Sequence, residues 1–376
     1  RSGGEGKKQS GFSGLVKNND GIWYYVESGK VRFDKTDLVK HTNGAWYYVK
    51  DGKMQAQYEG LVRKTNGDWY YVKDGKVDSS RNGLIYDTDG TLCYVQNGKL
   101  QSEYQGIVQH TDGNWYYIVG GKAQSQYEGV AENIDGKKYY IQDGKIDISK
   151  SGLIKSNDKK WYYLKEGIVQ DKFIGLVKQT NGYWYYVVNG IVDLNKTGLV
   201  KQMNGNWYYV KKGIMQPKFK GLIKQTNGYW YYVYNGKVQL NKTGLVKQTN
   251  GNWYYVKKGI MQPKFKGLIK QTNGYWYYVY NGKVQLNKTG LEKQTNGNWY
   301  YVKKGIMQSK FNGLIKQTNN YWYAVKKGKV QLNYTGLVKQ TNGKWYYVKN
   351  GIWQTKYSGK IKYNGKVYIV KNGRKV

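Results

Sequence analysis

The sequence predicts an all-β protein, an elongated β-solenoid of stacked β-hairpins with about 16 repeats of 23 residues. Three observations lead to this prediction. Trp recurs at multiples of 23 along the 376-residue chain, Gly follows each of these positions six residues later, and Asn-Gly, a strong hairpin signal, precedes many of the Trp residues. No helical period appears anywhere, and no apolar run approaches the ~18 residues of a membrane-spanning helix.

The 23-residue period runs along the chain without an insertion, which is typical of repeat architectures. Two multiples of 23 hold Leu92 and Lys138 in place of Trp. The last unit, residues 359–376, is one residue short and has Val367 where Trp is expected, so we interpret it as a terminal cap. The Trp positions are Trp23, Trp46, Trp69, Trp115, Trp161, Trp184, Trp207, Trp230, Trp253, Trp276, Trp299, Trp322 and Trp345.

Each unit has the pattern of a hairpin, as residues 199–210 illustrate. Two apolar-containing runs flank Asn204-Gly205, and Asn-Gly favours the positive φ angles of a two-residue type I′ turn. Pairing across such a turn places Gln202 opposite Trp207, Lys201 opposite Tyr208 and Val200 opposite Tyr209. Strand alternation then puts Val200, Gln202, Trp207 and Tyr209 on one face and Leu199, Lys201, Tyr208 and Val210 on the other.

A longer period of 46 residues lies on top of the short one. Residues 198–243 and 244–289 differ only at Met203 and Thr249. The residue twelve positions after each Trp alternates between Phe and Lys in this part of the chain. A lone two-stranded hairpin is marginal in water, so we expect neighbouring hairpins to bury their aromatic faces against each other. The alternating residues are Phe219, Lys242, Phe265, Lys288 and Phe311.

Charge is unevenly distributed along the chain. Of the net charge of +38, residues 171–376 contribute 37 Lys+Arg against 3 Asp+Glu, whereas residues 1–170 hold 25 against 21. A field of this strength favours anionic partners. The chain begins at Arg1 without an initiator Met or a signal-peptide pattern, so we expect a mature or excised fragment. The predicted segments are an N-terminal polar segment (1–13), divergent near-neutral repeats (14–170), regular, strongly basic repeats (171–358) and a capping repeat (359–376).

The composition argues against catalysis and against a metal or cofactor site. Cys93 is alone, and only His41 and His110 are available as imidazoles. Cys93 replaces a Tyr in the weakest unit and is interpreted as a core position, and the two His residues replace Gln or Lys and are expected at the surface. A glycosidase needs two precisely held carboxylates, and residues 171–376 offer three acids far apart in sequence.

The repeating unit Gly-Leu-x-Lys-x-x-Asn-Gly-x-Trp-Tyr-Tyr-Val-x-x-Gly resembles the cell-wall-binding repeats of Gram-positive bacteria. This superfamily includes choline-binding repeats and the glucan-binding repeats of secreted glucansucrases. The resemblance extends from about Gly14 to Val376. It implies a β-hairpin solenoid, secretion to the cell wall or cell surface, and non-covalent attachment to a wall polymer or polysaccharide.

The chain departs from the choline-binding pattern at one position. Choline-binding repeats have Trp directly after the first Gly, whereas this chain has Leu, as at Leu15, Leu61 and Leu199. A quaternary ammonium site needs several aromatic faces around the cation, so the departure disfavours choline as the ligand.

Two sets of residues are candidates for ligand contact. The aromatic set could offer ring faces to sugars, or it could form the core of the solenoid. The Lys set could bind a polyanion, or it could be a solvated face that keeps the chain soluble, although a solubilising face normally mixes both signs of charge. The aromatic candidates are Trp184, Trp207, Trp230, Trp253, Trp276, Trp299, Trp322, Trp345, Tyr209, Tyr232, Tyr255 and Tyr278. The Lys candidates are Lys178, Lys201, Lys224, Lys247, Lys270, Lys293, Lys316 and Lys339.

The sequence therefore predicts a non-catalytic, secreted module that holds a cell-wall polymer, such as a teichoic acid, or a polysaccharide by many weak equivalent sites. Two alternatives remain open: a structural spacer or fibre-forming surface scaffold, and an adhesin that binds a host protein or associates with itself. Nucleic acid fits the charge and the aromatic content, but no known nucleic-acid-binding motif is visible.

Overall fold

The computed structural model describes residues 10–376. Residues 1–9 of the predicted N-terminal polar segment lie outside the described residues. Every regular element within residues 10–376 is a β-strand, and the strands form tandem hairpins with the predicted 23-residue repeat, so the all-β prediction is confirmed. The described residues contain no helix that is long and apolar enough to span a membrane. The chain divides into two compact units, Arg1–Asp193 and Leu194–Val376.

Unit 1 contains 24 strands in eight hairpins, each with two longer strands and a short third strand. The strands are β1 Gly14–Lys17, β2 Trp23–Glu27, β3 Lys30–Val31, β4 Asp37–Lys40, β5 Trp46–Lys50, β6 Lys53–Met54, β7 Gly60–Arg63, β8 Trp69–Lys73, β9 Lys76–Val77, β10 Gly83–Tyr86, β11 Leu92–Gln96, β12 Lys99–Leu100, β13 Gln105–Gln109, β14 Trp115–Val119, β15 Lys122–Ala123, β16 Gly129–Glu132, β17 Lys138–Gln142, β18 Lys145–Ile146, β19 Gly152–Lys155, β20 Trp161–Lys165, β21 Ile168–Val169, β22 Ile174–Lys178, β23 Trp184–Val188 and β24 Ile191–Val192.

Unit 2 repeats the same three-strand pattern. Its strands are β25 Gly198–Lys201, β26 Trp207–Lys211, β27 Ile214–Met215, β28 Lys220–Lys224, β29 Trp230–Tyr234, β30 Lys237–Val238, β31 Gly244–Lys247, β32 Trp253–Lys257, β33 Ile260–Met261, β34 Gly267–Lys270, β35 Trp276–Tyr280, β36 Lys283–Val284, β37 Gly290–Lys293, β38 Trp299–Lys303, β39 Ile306–Met307, β40 Gly313–Lys316, β41 Trp322–Lys326, β42 Lys329–Val330, β43 Gly336–Lys339, β44 Trp345–Lys349, β45 Ile352–Trp353, β46 Gly359–Tyr363, β47 Lys366–Lys371 and β48 Arg374–Lys375.

The register within each hairpin differs from the predicted one. In the β25–β26 pair Lys201, not Gln202, lies opposite Trp207, and Leu199 lies opposite Tyr209. The predicted pairing is therefore wrong by one residue. Since side chains alternate between faces, this shift changes which residues share a face with Trp207.

The first turn is longer than predicted, and this sets the register. The Gln202 amide donates to the Asn206 carbonyl at 2.8 Å, and the Gly205 amide donates to the Gln202 carbonyl at 2.9 Å. Three residues thus lie between Gln202 and Asn206, with Gly205 at a φ of 80°. This is the three-residue hairpin loop that ends in a residue with left-handed φ, and Asn-Gly suits it as well as it suits a type I′ turn.

The second turn of each hairpin is the two-residue type I′ turn. Lys211 pairs with Ile214, and the intervening Lys212 and Gly213 have φ angles of 49° and 70°. At the equivalent Gly236 an added Cβ would lie 2.6 Å from the Gln216 carbonyl oxygen of the preceding hairpin. Gly is therefore required here both by the positive φ and by the close approach of the neighbouring chain.

Consecutive hairpins within a unit are joined by backbone hydrogen bonds and by shared apolar clusters. The Tyr209 amide donates to the Gly236 carbonyl at 2.8 Å, which links β26 to the turn before β30. Leu199 from one hairpin packs with Val233 and Val238 from the next, in a cluster that also contains Trp207. Each core is therefore assembled at a joint between two neighbouring hairpins, as expected for a repeat protein.

Candidate functional site

The corrected register brings the predicted Lys and Trp sets onto one face. Residues directly opposite each other on antiparallel strands have side chains on the same face. Lys339 illustrates the consequence, because its Nζ lies 6.0 Å from the ring centroid of Trp345. The directly opposed pairs are Lys178–Trp184, Lys201–Trp207, Lys224–Trp230, Lys247–Trp253, Lys270–Trp276, Lys293–Trp299, Lys316–Trp322 and Lys339–Trp345.

The predicted Trp residues fall into two groups. Trp184, Trp230 and Trp276 are exposed, with 40%, 39% and 40% of their surface accessible. They belong to hairpins with Lys at the alternating position. The other predicted Trp residues are half-buried and pack at joints between hairpins; these are Trp207, Trp253, Trp299, Trp322 and Trp345.

The predicted Tyr residues alternate as well. Tyr209 and Tyr255 are half-buried, and their rings pack on Phe219 and Phe265 with centroids 4.5 Å and 4.4 Å apart. In the intervening hairpins the equivalent Tyr232 and Tyr278 are 7% and 4% exposed and belong to apolar clusters. All four are placed so that they contribute to the core.

Three equivalent grooves occur in unit 2, and they recur every 46 residues. The first has a volume of about 490 Å³ and lies where the hairpin of Trp207 meets the hairpin of Tyr231. The equivalent grooves at Trp253 and Trp299 have volumes of about 300 Å³ and 130 Å³. We refer to them as the Trp–Tyr grooves. The residues that line the first are Leu199, Trp207, Gln225, Thr226, Asn227, Tyr231, Val238, Leu240 and Ile260.

Each Trp–Tyr groove combines an apolar wall with an oriented hydroxyl. Asn227 Nδ2 donates to Tyr231 Oη at 2.9 Å, and the Asn273–Tyr277 and Asn319–Tyr323 pairs do the same at 2.8 Å. Because the Tyr oxygen accepts this bond, its own proton can be donated to a ligand. Sequence reasoning missed these Asn–Tyr pairs, although their four-residue spacing recurs in the sequence.

The joint between the first and the second groove of unit 2 is closed by a different contact. Gln248 Oε1 accepts from the Leu222 amide at 2.7 Å, and Gln248 Nε2 donates to the Leu222 carbonyl at 2.9 Å. Met261 packs at the same joint. The residue equivalent to Met261 in the first groove is Val238. The equivalent Gln225 lines the groove and makes no such pair of bonds to Leu199.

A groove of the same kind lies in unit 1 and carries different charges. It has a volume of about 440 Å³ and includes Trp115 and Tyr139 at the positions of Trp207 and Tyr231. Its lining also includes Asp135 and Glu166, where the equivalent residues of unit 2 are Asn227 and Lys258. Leu194–Val376 has 35 Lys+Arg and one acid, a balance of +34, while Arg1–Asp193 has a balance of +4.

The expectation that both His residues lie at the surface is wrong. His41 is half-buried, its Nδ1 accepts from the Leu15 amide at 3.1 Å, and its ring lies 6.0 Å from those of Trp23 and Tyr47. The His110 side chain is only 12% exposed. His41 is drawn inward because it reaches back to the Leu15 amide of the preceding hairpin, as Gln248 does to Leu222, whereas His110 packs edge-on against the rings of Tyr86 and Tyr116.

Metal-ligating groups and a single thiol occur within residues 10–376. No group of three or more metal-ligating residues occurs in this range. Burial raises the pKa of the Cys93 thiol to about 11, which is the opposite of what an activated nucleophile needs. Glu292 is buried, and its Oε1 lies 2.7 Å from Lys288 Nζ.

Comparison with solved structures gives matches of low similarity. Alternansucrase in complex with isomaltononaose is 20% identical, with 85% of this chain and 23% of that chain covered and a TM-score of 0.26. A streptogramin B lyase is 12% identical over 80% and 93% of the two chains, with a TM-score of 0.09. The extracellular domain of a putative hybrid two-component system from B. thetaiotaomicron is 11% identical over 90% and 55%, with a TM-score of 0.14. At these TM-scores the likenesses carry no argument. The chain spans about a quarter of the length of the alternansucrase.

No curated protein matches the chain. The choline-binding repeat family does match it, in tandem segments that together cover most of its length. The unit with Leu92 is skipped, in line with its divergence from the repeat pattern. The matched residues are 11–32, 34–55, 57–78, 103–124, 126–147, 149–170, 172–193, 195–216, 218–239, 241–262, 264–285, 287–308, 310–331 and 333–352. The chain therefore belongs to the choline-binding repeat family, within the cell-wall-binding superfamily that its sequence resembles.

Proposed function

We propose that the chain is a non-catalytic, secreted module that binds an anionic cell-wall polymer or acidic polysaccharide through repeated, weak sites. The sites are the Trp–Tyr grooves together with the Lys residues that lie opposite Trp. A teichoic acid that carries sugar substituents, or a polysaccharide with acidic sugars, has this combination of rings, hydroxyls and regularly spaced charge.

The recurrence of the Trp–Tyr groove supports this proposal above all else. The groove recurs with the same apolar lining at three joints of unit 2 that are 46 residues apart, whereas the Asn–Tyr pair also occurs at the buried Tyr346. Linked equivalent sites raise the effective concentration of each for the next segment of one polymer chain. Modest affinity at each groove is then enough for firm attachment.

The chemistry of the groove suits a sugar ring. Trp207, Leu240 and Ile260 provide apolar surface for the C–H face of a ring, and Tyr231 provides a hydroxyl donor at the edge. Small-molecule sites in proteins share this design of mainly apolar walls with a few placed polar groups.

The charge of unit 2 favours an anionic polymer over a neutral one. Its +34 balance includes a Lys opposite Trp in successive hairpins, and Glu292 is the sole acidic side chain. Individual exposed ion pairs contribute only about 0–1 kcal/mol each. A linear polyanion that meets many of them at once gains by avidity and is attracted over a longer range.

The groove contribution can be tested with matched tyrosine variants. Replacing Tyr231, Tyr277 and Tyr323 by Phe removes the three groove hydroxyls and keeps the rings. The control replaces Tyr208, Tyr254 and Tyr300, the same repeat position in the other hairpins of unit 2. We expect binding of immobilised teichoic acid or acidic polysaccharide to weaken about tenfold or more in the first variant and to stay near the wild-type level in the control. Equal binding by both variants would contradict the groove assignment.

The Lys contribution needs a separate comparison. Glutamine at Lys201, Lys247 and Lys293 removes charges opposite Trp, and glutamine at Lys211, Lys257 and Lys303 removes the same number from the ends of β26, β32 and β38. The first variant should lose more affinity for the polyanion than the second, and the difference should vanish at about 1 M salt. A neutral glucan should bind both variants equally. If no polymer binds the wild-type chain at either salt concentration, the scaffold alternative replaces this proposal.

A further inference from the structure

The dipeptide Asn-Gly occurs 18 times in the chain, and these sites differ in what holds the Gly amide. Asn-Gly is especially prone to spontaneous deamidation, since Gly has no side chain to hinder attack by its backbone nitrogen on the Asn side chain. An amide that donates a hydrogen bond within the fold reacts only when that part of the chain opens. The hydrogen bonds of the Gly amides therefore show which of these sites is open to reaction.

Most of the Gly amides are engaged by the repeat itself. In the three-residue loops the Gly amide donates to the carbonyl three residues before it, as Gly343 does at 2.9 Å. In the type I′ turns it donates to a carbonyl of the segment that precedes its hairpin, as Gly373 does at 2.8 Å. Two further Asn-Gly sites have their Gly within the paired strands β10 and β40, at Gly83 and Gly313.

Asn364-Gly365 is the exception among residues 10–376. The cap is one residue short, and its first turn has only two residues, with Tyr363 directly opposite Lys366. Asn364 and Gly365 have φ angles of 50° and 76°, and both are exposed. No described residue accepts a hydrogen bond from the Gly365 amide, and a Cβ added there would meet no atom within 4 Å. The shorter turn has thus lost the bond that holds the Gly amide in the longer loops.

We propose that Asn364 is a site of spontaneous deamidation, which converts it to aspartate and isoaspartate. The Gly365 nitrogen gives up its proton and attacks Cγ of Asn364. The new C–N bond closes a five-membered succinimide ring, and the side-chain nitrogen leaves as ammonia with that proton. Water then opens either carbonyl of the ring, so the product has an aspartyl or an isoaspartyl linkage. The net reaction consumes one water and releases one ammonia, without oxidation or reduction.

Two nearby sites provide matched comparisons. Asn342, Asn364 and Asn372 are each followed by Gly and then by Lys or Arg. The Asn342 side chain is restrained further, because Oδ1 accepts from the Lys344 amide at 3.0 Å and Nδ2 donates to Tyr346 Oη at 2.9 Å. Since the local sequences are so alike, a difference in their rates of deamidation reports on the fold.

The modification changes the cap in two ways. It adds a carboxylate two residues before Lys366, in a unit whose sole acidic side chain is Glu292. An isoaspartyl linkage also adds a methylene to the backbone of a two-residue turn. The turn adjoins Tyr363, which packs on the cluster of Leu337 and Val370 that joins the cap to the preceding hairpin. The effect falls on the end of the stack and does not depend on which polymer the chain binds.

The test incubates the complete folded chain in mildly alkaline buffer prepared with water that carries heavy oxygen. Opening of the ring adds a labelled oxygen atom, so deamidation during the incubation is separated from deamidation during later digestion in ordinary water. Trypsin cleaves after Lys and Arg, and it places Asn342, Asn364 and Asn372 in separate peptides for mass spectrometry. Asn364 should deamidate about tenfold faster or more than either of the other two. Equal rates at the three sites would overturn the proposal.

Two further measurements establish whether the cap turn is the cause. In concentrated urea the hydrogen bonds of the fold are lost, and the three sites should deamidate at similar rates. A preference for Asn364 that persists in urea would overturn the structural explanation. Insertion of Thr between Tyr363 and Asn364 restores the loop length of the Trp345 hairpin, whose loop has Thr341 at this place. Deamidation of Asn364 should then slow about tenfold, and an unchanged rate would show that the free Gly365 amide does not control the reaction.

Discussion

Replacing Gln248 by Ala should weaken one joint of unit 2 far more than the same change at Gln225. Gln248 holds both the amide and the carbonyl of Leu222 in the preceding hairpin, at 2.7 Å and 2.9 Å. The equivalent Gln225 lines a Trp–Tyr groove and makes no such pair of bonds. The two positions are 23 residues apart in nearly the same sequence context, so each serves as a control for the other.

The magnitude follows from the burial of Leu222, which is 4% exposed. A buried backbone group that loses its only partner costs about 1–3 kcal/mol. Two such groups are affected, and water can enter part of the space that Gln248 leaves. We therefore expect Gln248→Ala to destabilise the joint by about 2–4 kcal/mol, whereas Gln225→Ala should change stability by about 0.5 kcal/mol or less.

Amide hydrogen exchange is the suitable assay, because repeat proteins open locally and a single unfolding midpoint would average over the hairpins. The Leu222 amide should exchange about 30-fold faster or more in Gln248→Ala. Amides of a distant hairpin, such as Val348, should not change. If Leu222 exchanges at the wild-type rate, or if Gln225→Ala produces an equal effect at Leu199, Gln248 does not hold the joint as described.

The remaining predictions concern stability, reactivity and salt. Gly236→Ala should destabilise unit 2 by about 1 kcal/mol or more, measured by urea unfolding, because φ is 73° and a Cβ would lie 2.6 Å from the Gln216 carbonyl oxygen. The Cys93 thiol, with its pKa raised to about 11 by burial, should stay protonated through pH 8 and react with iodoacetamide only after unfolding. Amides around Leu92 and Lys138 should exchange faster than those around Trp253, because these units lack the Trp of the repeat. Polyanion binding should weaken as salt rises from 0.1 M to 1 M, where the Debye length falls from ~10 Å to ~3 Å, and binding that is independent of salt would exclude the Lys contribution.

The repeat, the strands and the hairpins could all be predicted from sequence. Trp and Gly recur at a fixed period of 23 residues, and Asn-Gly before Trp marks a turn between two strands. The register could not be predicted. Asn204-Gly205 is compatible with a two-residue turn and with a three-residue loop, and the two differ by one position. That position decides whether Lys201 or Gln202 shares a face with Trp207.

The contacts between neighbouring hairpins could not be predicted from the sequence of a single repeat, because they connect residues 26 positions apart. Gln248 and Leu222 occupy different hairpins, and nothing in one unit shows that a Gln before the turn reaches back to the unit before it. A signal was nevertheless present. Gln recurs at this position, and His41 and His110 replace it in two hairpins. A position that is fully exposed to solvent would not need to keep such residues, so the pattern indicates a polar contact.

The alternation of open and closed joints follows from the limits on stability in a stack of hairpins. Each hairpin contacts only its neighbours, so total stability is close to a sum over joints. A Trp–Tyr groove leaves apolar surface of Trp207 and Leu240 without a protein partner, and that joint forgoes part of its packing. The joint that follows adds two hydrogen bonds from Gln248 and the longer side chain of Met261. In this part of unit 2 a period of 46 residues rather than 23 thus places an open groove at one joint and these added contacts at the next.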